Sequence, residues 1–294
     1  YFLSNARRYL YQIGFFRSYN FKAPVIVVGN ITVGGSGKTP IVIALVEHLK
    51  RQGKKVGVVS RGYGGKRSNK TLYVNQDTNV LQSGDEPLMI ATQTKVPVAV
   101  NIDRSKAVKD LIESYEVEIV ISDDGLQHYS MSRDVEIAVI DGKRRFGNGF
   151  FLPSGPLREG LSALKRANCV VINGEKNRDI ENKIFSKNKE IKIFYTKYRA
   201  KNISEFKNKK VIAFAGIGNP ENFFDLLKDN KIDIEEEIKF PDHHEYSEET
   251  LENLINKAKE NNNILLTTEK DYFRIAENYK QNISFLKIEV EIEN

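Results

Sequence analysis

Residues Val25–Leu49 read VIVVGNITVGGSGKTPIVIALVEHL, and the rest of the chain is interpreted around them. Val25–Val28 is a short apolar strand, Gly29 to Gly37 a glycine-rich turn, and Lys38-Thr39 opens a helix whose apolar face is Ile41, Val42, Leu45, Val46 and Leu49. Gly34, Gly35 and Gly37 allow backbone conformations closed to residues with a Cβ, so that successive N–H groups turn inward toward an anion. The helix start adds donors and the positive end of its dipole. In such a loop Lys38 reaches the β- and γ-phosphates of a nucleotide and Thr39 offers its hydroxyl to Mg²⁺. Pro40 is tolerated because first-turn N–H groups have no helical partner. The usual G-x-x-x-x-G-K-S/T template wants glycine where this chain has Thr32.

The chain has 294 residues, enough for one large or two moderate domains, and its 40% hydrophobic and 29% charged residues are those of an ordinary soluble globular protein. A net charge of +6 suits an anionic substrate or membrane surface and is too weak to argue for nucleic acid. One cysteine, Cys169, excludes an internal disulfide framework, and its apolar neighbours mark it as core filling. No apolar run is long enough to span a bilayer. The chain begins at Tyr1 without a methionine, which points to residues upstream. Over residues 1–19, Phe2, Leu3, Ala6, Tyr9, Leu10, Ile13 and Phe16 fall at helical spacing among Arg7, Arg8 and Arg17, either as an interfacial membrane helix or as a helix packed on the domain.

Downstream, strands and helices alternate, which argues for parallel sheets. The loop Arg61-Gly62-Tyr63-Gly64-Gly65-Lys66-Arg67 follows strand Lys55–Ser60 and either binds an anionic or sugar group or is a mobile basic loop. In Gly84-Asp85-Glu86-Pro87, Asp85 is either the N-cap of the next helix or a carboxylate that deprotonates an attacking hydroxyl. Arg104, in the first turn of a helix from Asp103, opposes the dipole and so favours a ligand-facing role. Strand Val117–Ser122 closes on Asp123-Asp124, either as a Mg²⁺ site beside a phosphate loop requires or as ordinary Asp-Gly turn chemistry, and His128 after it either reaches substrate or is a surface histidine. Lys143-Arg144-Arg145, near Phe150-Phe151, suits a membrane-facing rim or a solvated face. Strand Cys169–Asn173 is expected to complete the first sheet.

A second, smaller α/β domain is expected to begin near residue 200, giving domains 1–200 and 201–294. From Lys187 onward, just before it and within it, strand-like segments fall at Ile191–Thr196, Lys210–Phe214, Ile234–Lys239, Ile264–Thr267 and Phe285–Val290. Within it, Asp242-His243-His244 and Thr267-Thr268-Glu269-Lys270-Asp271 look least like filler. Adjacent histidines on extended chain point apart, which argues against zinc.

The phosphate loop, Arg61-Gly62-Tyr63-Gly64, Gly84-Asp85-Glu86-Pro87, Asp123-Asp124-Gly125-Leu126-Gln127-His128, Gly155-Pro156-Leu157-Arg158-Glu159 and Asp242-His243-His244 occur in this order. Together they resemble the tetraacyldisaccharide 4'-kinase (lipid A 4'-kinase) family, in which Thr32 is normal. The resemblance implies a P-loop α/β/α fold with a second α/β domain joined by a two-stranded linker. It implies transfer of the γ-phosphoryl group of ATP, with Mg²⁺, to the 4'-hydroxyl of a tetraacylated glucosamine disaccharide 1-phosphate, by a monotopic enzyme on the cytoplasmic face of the bacterial inner membrane. Neither nucleic acid nor an obligate protein partner is implied. Carried over, Thr32, Val33, Gly34, Gly35, Ser36, Gly37, Lys38 and Thr39 hold ATP, with Lys38 also catalytic. Thr39, Asp123 and Asp124 support the metal. Asp85 is the general base, with His243 as its partner. Arg61, Tyr63, Arg104, His128, Arg158 and Glu159 meet the glycolipid. The rival class is a regulatory or assembly ATPase of the deviant phosphate-loop type, whose signature lysine is replaced here by Val33.

Overall fold

A computed structural model describes residues 7–11, 13–63, 65 and 70–293. Its contacts divide the chain into two units, one running to Lys197 and taking back the residues from Ile292, the other Tyr198–Glu291.

The first unit carries β1 (Val25–Gly29), α1 (Lys38–Arg51), β2 (Val56–Ser60), β3 (Leu72–Val74), α2 (Asp85–Thr94), β4 (Val98–Val100), α3 (Arg104–Tyr115), β5 (Ile119–Asp123), β6 (Val135–Asp141), β7 (Cys169–Asn173), α4 (Arg178–Phe185) and most of β8 (Lys192–Ala200). Near-continuous apolar runs such as Val56–Ser60, buried at every position, are what a sheet covered on both faces demands. The sheet order is β13-β8-β7-β6-β1-β5-β2-β4-β3, β13 being Ile288–Glu293. Pairing is parallel from β8 through β4. β3 runs antiparallel to its neighbour β4. Three residues of edge strand leave too short a pattern to read, and β3 was not expected.

Strand order reverses at β1, which lies between β5 and β6 although both come later in sequence. In open α/β sheets ligands bind outside the carboxyl ends of strands at such a switch point. Register sharpens the placement, since Val28 pairs with Asp123 and Gly29 with Ala138. Beneath this edge lies a core that includes Val25, Val27, Leu111, Val120, Ala138 and Ile172.

Two expectations about strands are corrected. Cys169–Asn173 does not complete the first sheet, because β8 and β13 extend it further. Nor is Phe285–Val290 one strand. It breaks at Lys287, whose N–H donates to Asn202 Oδ1 at 2.9 Å and whose carbonyl accepts the Lys201 N–H at 2.8 Å. That break leaves β12 (Ser284–Leu286) in the second sheet and β13 in the first.

The second unit is built on a parallel sheet ordered β10-β9-β11-β12, with β9 Lys210–Ala215, β10 Asp233–Lys239 and β11 Ile264–Thr268. Side chains of β9 alternate between two cores, as the two-residue period of a strand requires. Val211, Ala213 and Ala215 meet Phe223, Phe224 and Leu227 of α5 (Glu221–Asp229). Ile212 and Phe214 meet Leu251, Leu254, Ile255 and Ala258 of α6 (Glu248–Glu260), a stripe at helical spacing. Among the described residues no helix is long and apolar enough to cross a membrane.

Candidate active site

Gly37 caps α1 with φ +80°, a left-handed conformation that only glycine adopts without strain, so the chain turns sharply from loop into helix at Lys38. Asn30 Nδ2 donates to Ser36 Oγ at 2.9 Å and ties the two ends of the loop together. Its outer edge is held by the Gly155–Glu159 segment. The Val33 N–H donates to the Pro156 carbonyl at 2.8 Å, the Arg158 N–H to that of Ile31 at 2.8 Å, and Thr32 bridges to Leu157. Ser36 and Thr39 are buried.

The two aspartates at the end of β5 have different surroundings. Asp124, at φ +49°, receives Arg158 Nη1 at 2.9 Å on Oδ1 and 2.8 Å on Oδ2, and stands 3.5 Å from Lys38 Nζ. Burial opposes its charge, but Lys38, Arg158 and Arg104 outweigh burial and hold its pKa at about 2. Asp123 is buried, and neither carboxylate oxygen has a hydrogen-bond partner among the described residues. Burial and the nearby Glu86 carboxylate push its pKa up to about 7 against the pull of Lys38 and Arg104. Two bare, hard oxygens close to Lys38, with Thr39 next in the loop, fit a divalent cation such as Mg²⁺. No group of three or more His, Cys, Asp or Glu side chains among the described residues would hold a metal by itself. That matches Mg²⁺, which binds through one or two protein oxygens and completes its shell from phosphates and water.

The capping role open to Asp85 falls instead to Gly84, at φ +83°, and Asp85 is the first residue of α2. A Cβ on Gly84 would stand 2.5 Å from the Tyr63 carbonyl, so the Arg61–Tyr63 strip lies directly on the approach to this helix. Asp85 is buried, with Oδ1 accepting the Glu86 N–H at 2.8 Å. Gly64, Lys66 and Arg67 of the same loop lie outside the described residues.

Arg104 follows the α3 cap, where Asp103 Oδ1 accepts the Ser105 N–H at 3.0 Å. The guanidinium is buried and its Nε meets no hydrogen-bond partner among the described residues. Burial lowers its pKa, Asp124 and Asp123 act to raise it, and Arg61 and Arg158 depress it further, so these charges share one neighbourhood. His128 Nε2 lies 3.1 Å from Ser130 Oγ and 3.7 Å from Asp103 Oδ1, and burial followed by Arg104 pushes its pKa down to about 4. The imidazole is therefore neutral at physiological pH.

Glu159 is corrected. It is buried, its oxygens taken by Arg166 at 2.8 and 3.1 Å and by Gln127 Nε2 at 2.8 Å. Gln127 also donates to the Asn30 carbonyl at 2.9 Å, so Glu159 braces the phosphate loop.

In the second unit His243 takes φ +60°, and its N–H donates to the Gly216 carbonyl at 3.1 Å. His244 stacks on Phe240 at 4.6 Å, which makes it a packing residue. The turn is anchored by Asp271, fully buried. Its Oδ2 accepts from Gly216 N at 3.1 Å and Thr268 Oγ1 at 2.6 Å, and its Oδ1 from Tyr246 Oη at 2.9 Å and Arg274 Nη1 at 3.1 Å. Arg274 Nη1 also reaches the Gly216 carbonyl at 2.9 Å. This anchoring role was not read from sequence, although the Thr267–Asp271 motif pointed to it.

Tyr11, Ser18 and Tyr19 meet the stretch of chain that follows His128. The Tyr11 ring lies 5.8 Å from Tyr129, and the Tyr19 N–H donates to the Ser130 carbonyl at 2.8 Å. Tyr9, Ile13, Phe15, Phe16 and Tyr19 are exposed, whereas Phe2, Leu3 and Ala6 lie outside the described residues.

A family model described as LpxK, tetraacyldisaccharide-1-P 4'-kinase, matches residues 1–294. The tetraacyldisaccharide 4'-kinase of Ruthia magnifica subsp. Calyptogena magnifica is 48% identical over 297 residues, 99% of this chain and 90% of the relative. That of Haemophilus influenzae (strain 86-028NP) is 40% identical over 290 residues, 99% of this chain and 85% of the relative. Among solved structures, LpxK from Aquifex aeolicus in complex with ATP superposes with a TM-score of 0.79 at 32% identity, covering 99% of this chain and 91% of that one. The chain belongs to the tetraacyldisaccharide-1-P 4'-kinase family.

Proposed function

We propose that this protein transfers the γ-phosphoryl group of ATP to the 4'-hydroxyl of a tetraacyldisaccharide 1-phosphate, a step of lipid A biosynthesis. The observation that carries the reading is Asp123, delivered by parallel register to the mouth of the phosphate loop with two buried, unpartnered oxygens. Family membership supplies the acceptor. The main-chain amides from Thr32 to Thr39 and the Lys38 ammonium bind the triphosphate. Asp123 and Thr39 hold Mg²⁺, which when bound neutralises phosphate charge. Asp124 keeps Lys38 and Arg158 in place. Phosphoryl transfer asks a protein mainly for such positioning and charge stabilisation.

Asp85 accepts the proton of the attacking hydroxyl. Arg61, Tyr63, Arg104, His128 and Arg158 recognise the sugar and its 1-phosphate. The exposed aromatics of residues 9–19, beside Arg7, Arg8 and Arg17, suit contact with an anionic bilayer, and so a monotopic enzyme at the cytoplasmic face of the inner membrane. The test is incubation with ATP, Mg²⁺ and the disaccharide 1-phosphate. The expected product is the bisphosphorylated lipid, with ATP consumption dependent on added lipid. Steady ATP hydrolysis indifferent to lipid would favour the regulatory ATPase.

A further inference from the structure

The basic run Lys143-Arg144-Arg145 has no part in the site as described so far. It follows β6 directly, and its conformation is built. Asp141, buried at the strand's end, accepts the N–H groups of Lys143 and Arg144 on Oδ1, each at 2.9 Å, and its carbonyl accepts the Arg145 N–H at 2.8 Å. Because β6 is the parallel neighbour of β1, this turn leaves the sheet at the same edge as the phosphate loop.

Folded back in this way, Arg144 Nη1 comes within 2.6 Å of the point where a Cβ on Gly34 would stand. Its guanidinium thus lies against the glycine-rich loop itself. With Asp141, Arg145 and residues 32–36, Arg144 lines a cavity of about 280 Å³. Pro156, which accepts the Val33 N–H, closes another side of it. A cavity bounded by the phosphate loop and two arginines selects a multiply charged anion. A planar guanidinium contacts phosphate oxygens two at a time, which a lysine does not.

We infer that Arg144 is a phosphate ligand of the bound nucleotide, a second cation beside Lys38, presented by the turn after β6. The inference rests on reading the phosphate loop as the ATP site. It replaces the membrane-rim reading of this run.

Calorimetric titration of the protein with ATP and Mg²⁺ tests it. Arg144→Ala should weaken ATP binding about 10- to 100-fold, the size expected of a charge-assisted hydrogen bond. Arg144→Lys should recover part of the loss, and the affinity of Arg144→Ala should depend less steeply on salt than that of the wild type. The KM for ATP of Arg144→Ala should rise with its dissociation constant. Lys143→Ala, which removes a cation outside the cavity lining, should bind ATP like the wild type. Arg144 is exposed, so unchanged melting temperatures are expected to accompany these effects. Wild-type affinity in Arg144→Ala, alongside weakened binding in Lys38→Ala, overturns the role of Arg144 and leaves the ATP site standing. A wild-type protein that binds no ATP overturns both.

Discussion

Lys38 Nζ stands 3.5 Å from Asp124 Oδ1, and the same carboxylate receives Arg158. The loop lysine thus stands beside a carboxylate ionised at neutral pH, while Asp123, one residue earlier, keeps its oxygens bare among the described residues. Adjacent aspartates in one motif therefore do different work.

That division separates their amides. Asp123→Asn should raise the Mg²⁺ concentration needed for half-maximal rate about tenfold or more, because a carboxylate ligand becomes a neutral one. Asp124→Asn should leave the Mg²⁺ requirement close to wild type and lower turnover by about 10- to 100-fold, through Lys38 and Arg158 losing a charged anchor. Kinase rates measured across a Mg²⁺ titration compare the two. Equal Mg²⁺ shifts in both would contradict the assignment.

Asp85 is buried at the start of α2 without the capping duty that its sequence context suggested. If it is the base, Asp85→Ala should lower kcat by about 10²- to 10⁴-fold and leave ATP affinity nearly unchanged. An Asp85→Ala enzyme with wild-type kcat would refute the assignment.

Asp271 joins Gly216, Thr268, Tyr246 and Arg274 in one buried network. Asp271→Ala takes a buried acceptor from Gly216, Thr268, Tyr246 and Arg274 and should cost about 3–5 kcal/mol in chemical denaturation. Gly216 also accepts the His243 N–H, so the turn that carries His243 should loosen with it. Amide hydrogen exchange at residues 241–246, faster in the variant under native conditions, checks this directly.

His128 gives a pH signature. Its folded pKa of about 4 lies below the 6.5 of the unstructured chain. Between those values the unfolded chain takes up a proton that the fold refuses, so stability is complete above pH 6.5 and declines as pH falls toward 4. The groups facing the ring are Arg104, Asp103, Arg133 and Arg7. His128→Gln should melt with a shallower decline between pH 7 and pH 4.5 than the wild type, read as the difference in melting temperature across a buffer series. Parallel curves would show that His128 is not buried neutral.

Much of this protein was legible without coordinates. Val25–Val28, the glycine turn and the Lys38 helix announce a strand, an anion nest and a capped helix through local chemistry alone. Glycine supplies the positive φ at Gly37, and apolar residues repeat with the period of each element. Parallel alternation followed from the order of strands and helices, and β7 fell on the expected residues. The strand that changes sheets at Lys287 did not, because its break depends on Asn202, far away in sequence. The same limit explains the site. Asp123 and Asp124 look alike as letters, Glu159 looks available, and Lys143–Arg145 looks like a solvated charge run. Burial and pairing between residues scores of positions apart decide that Asp124 is committed, that Asp123 is bare, that Glu159 braces a loop and that Arg144 reaches Gly34. Local sequence dictates backbone conformation, whereas the ionisation and reach of a side chain depend on which strands the sheet makes neighbours.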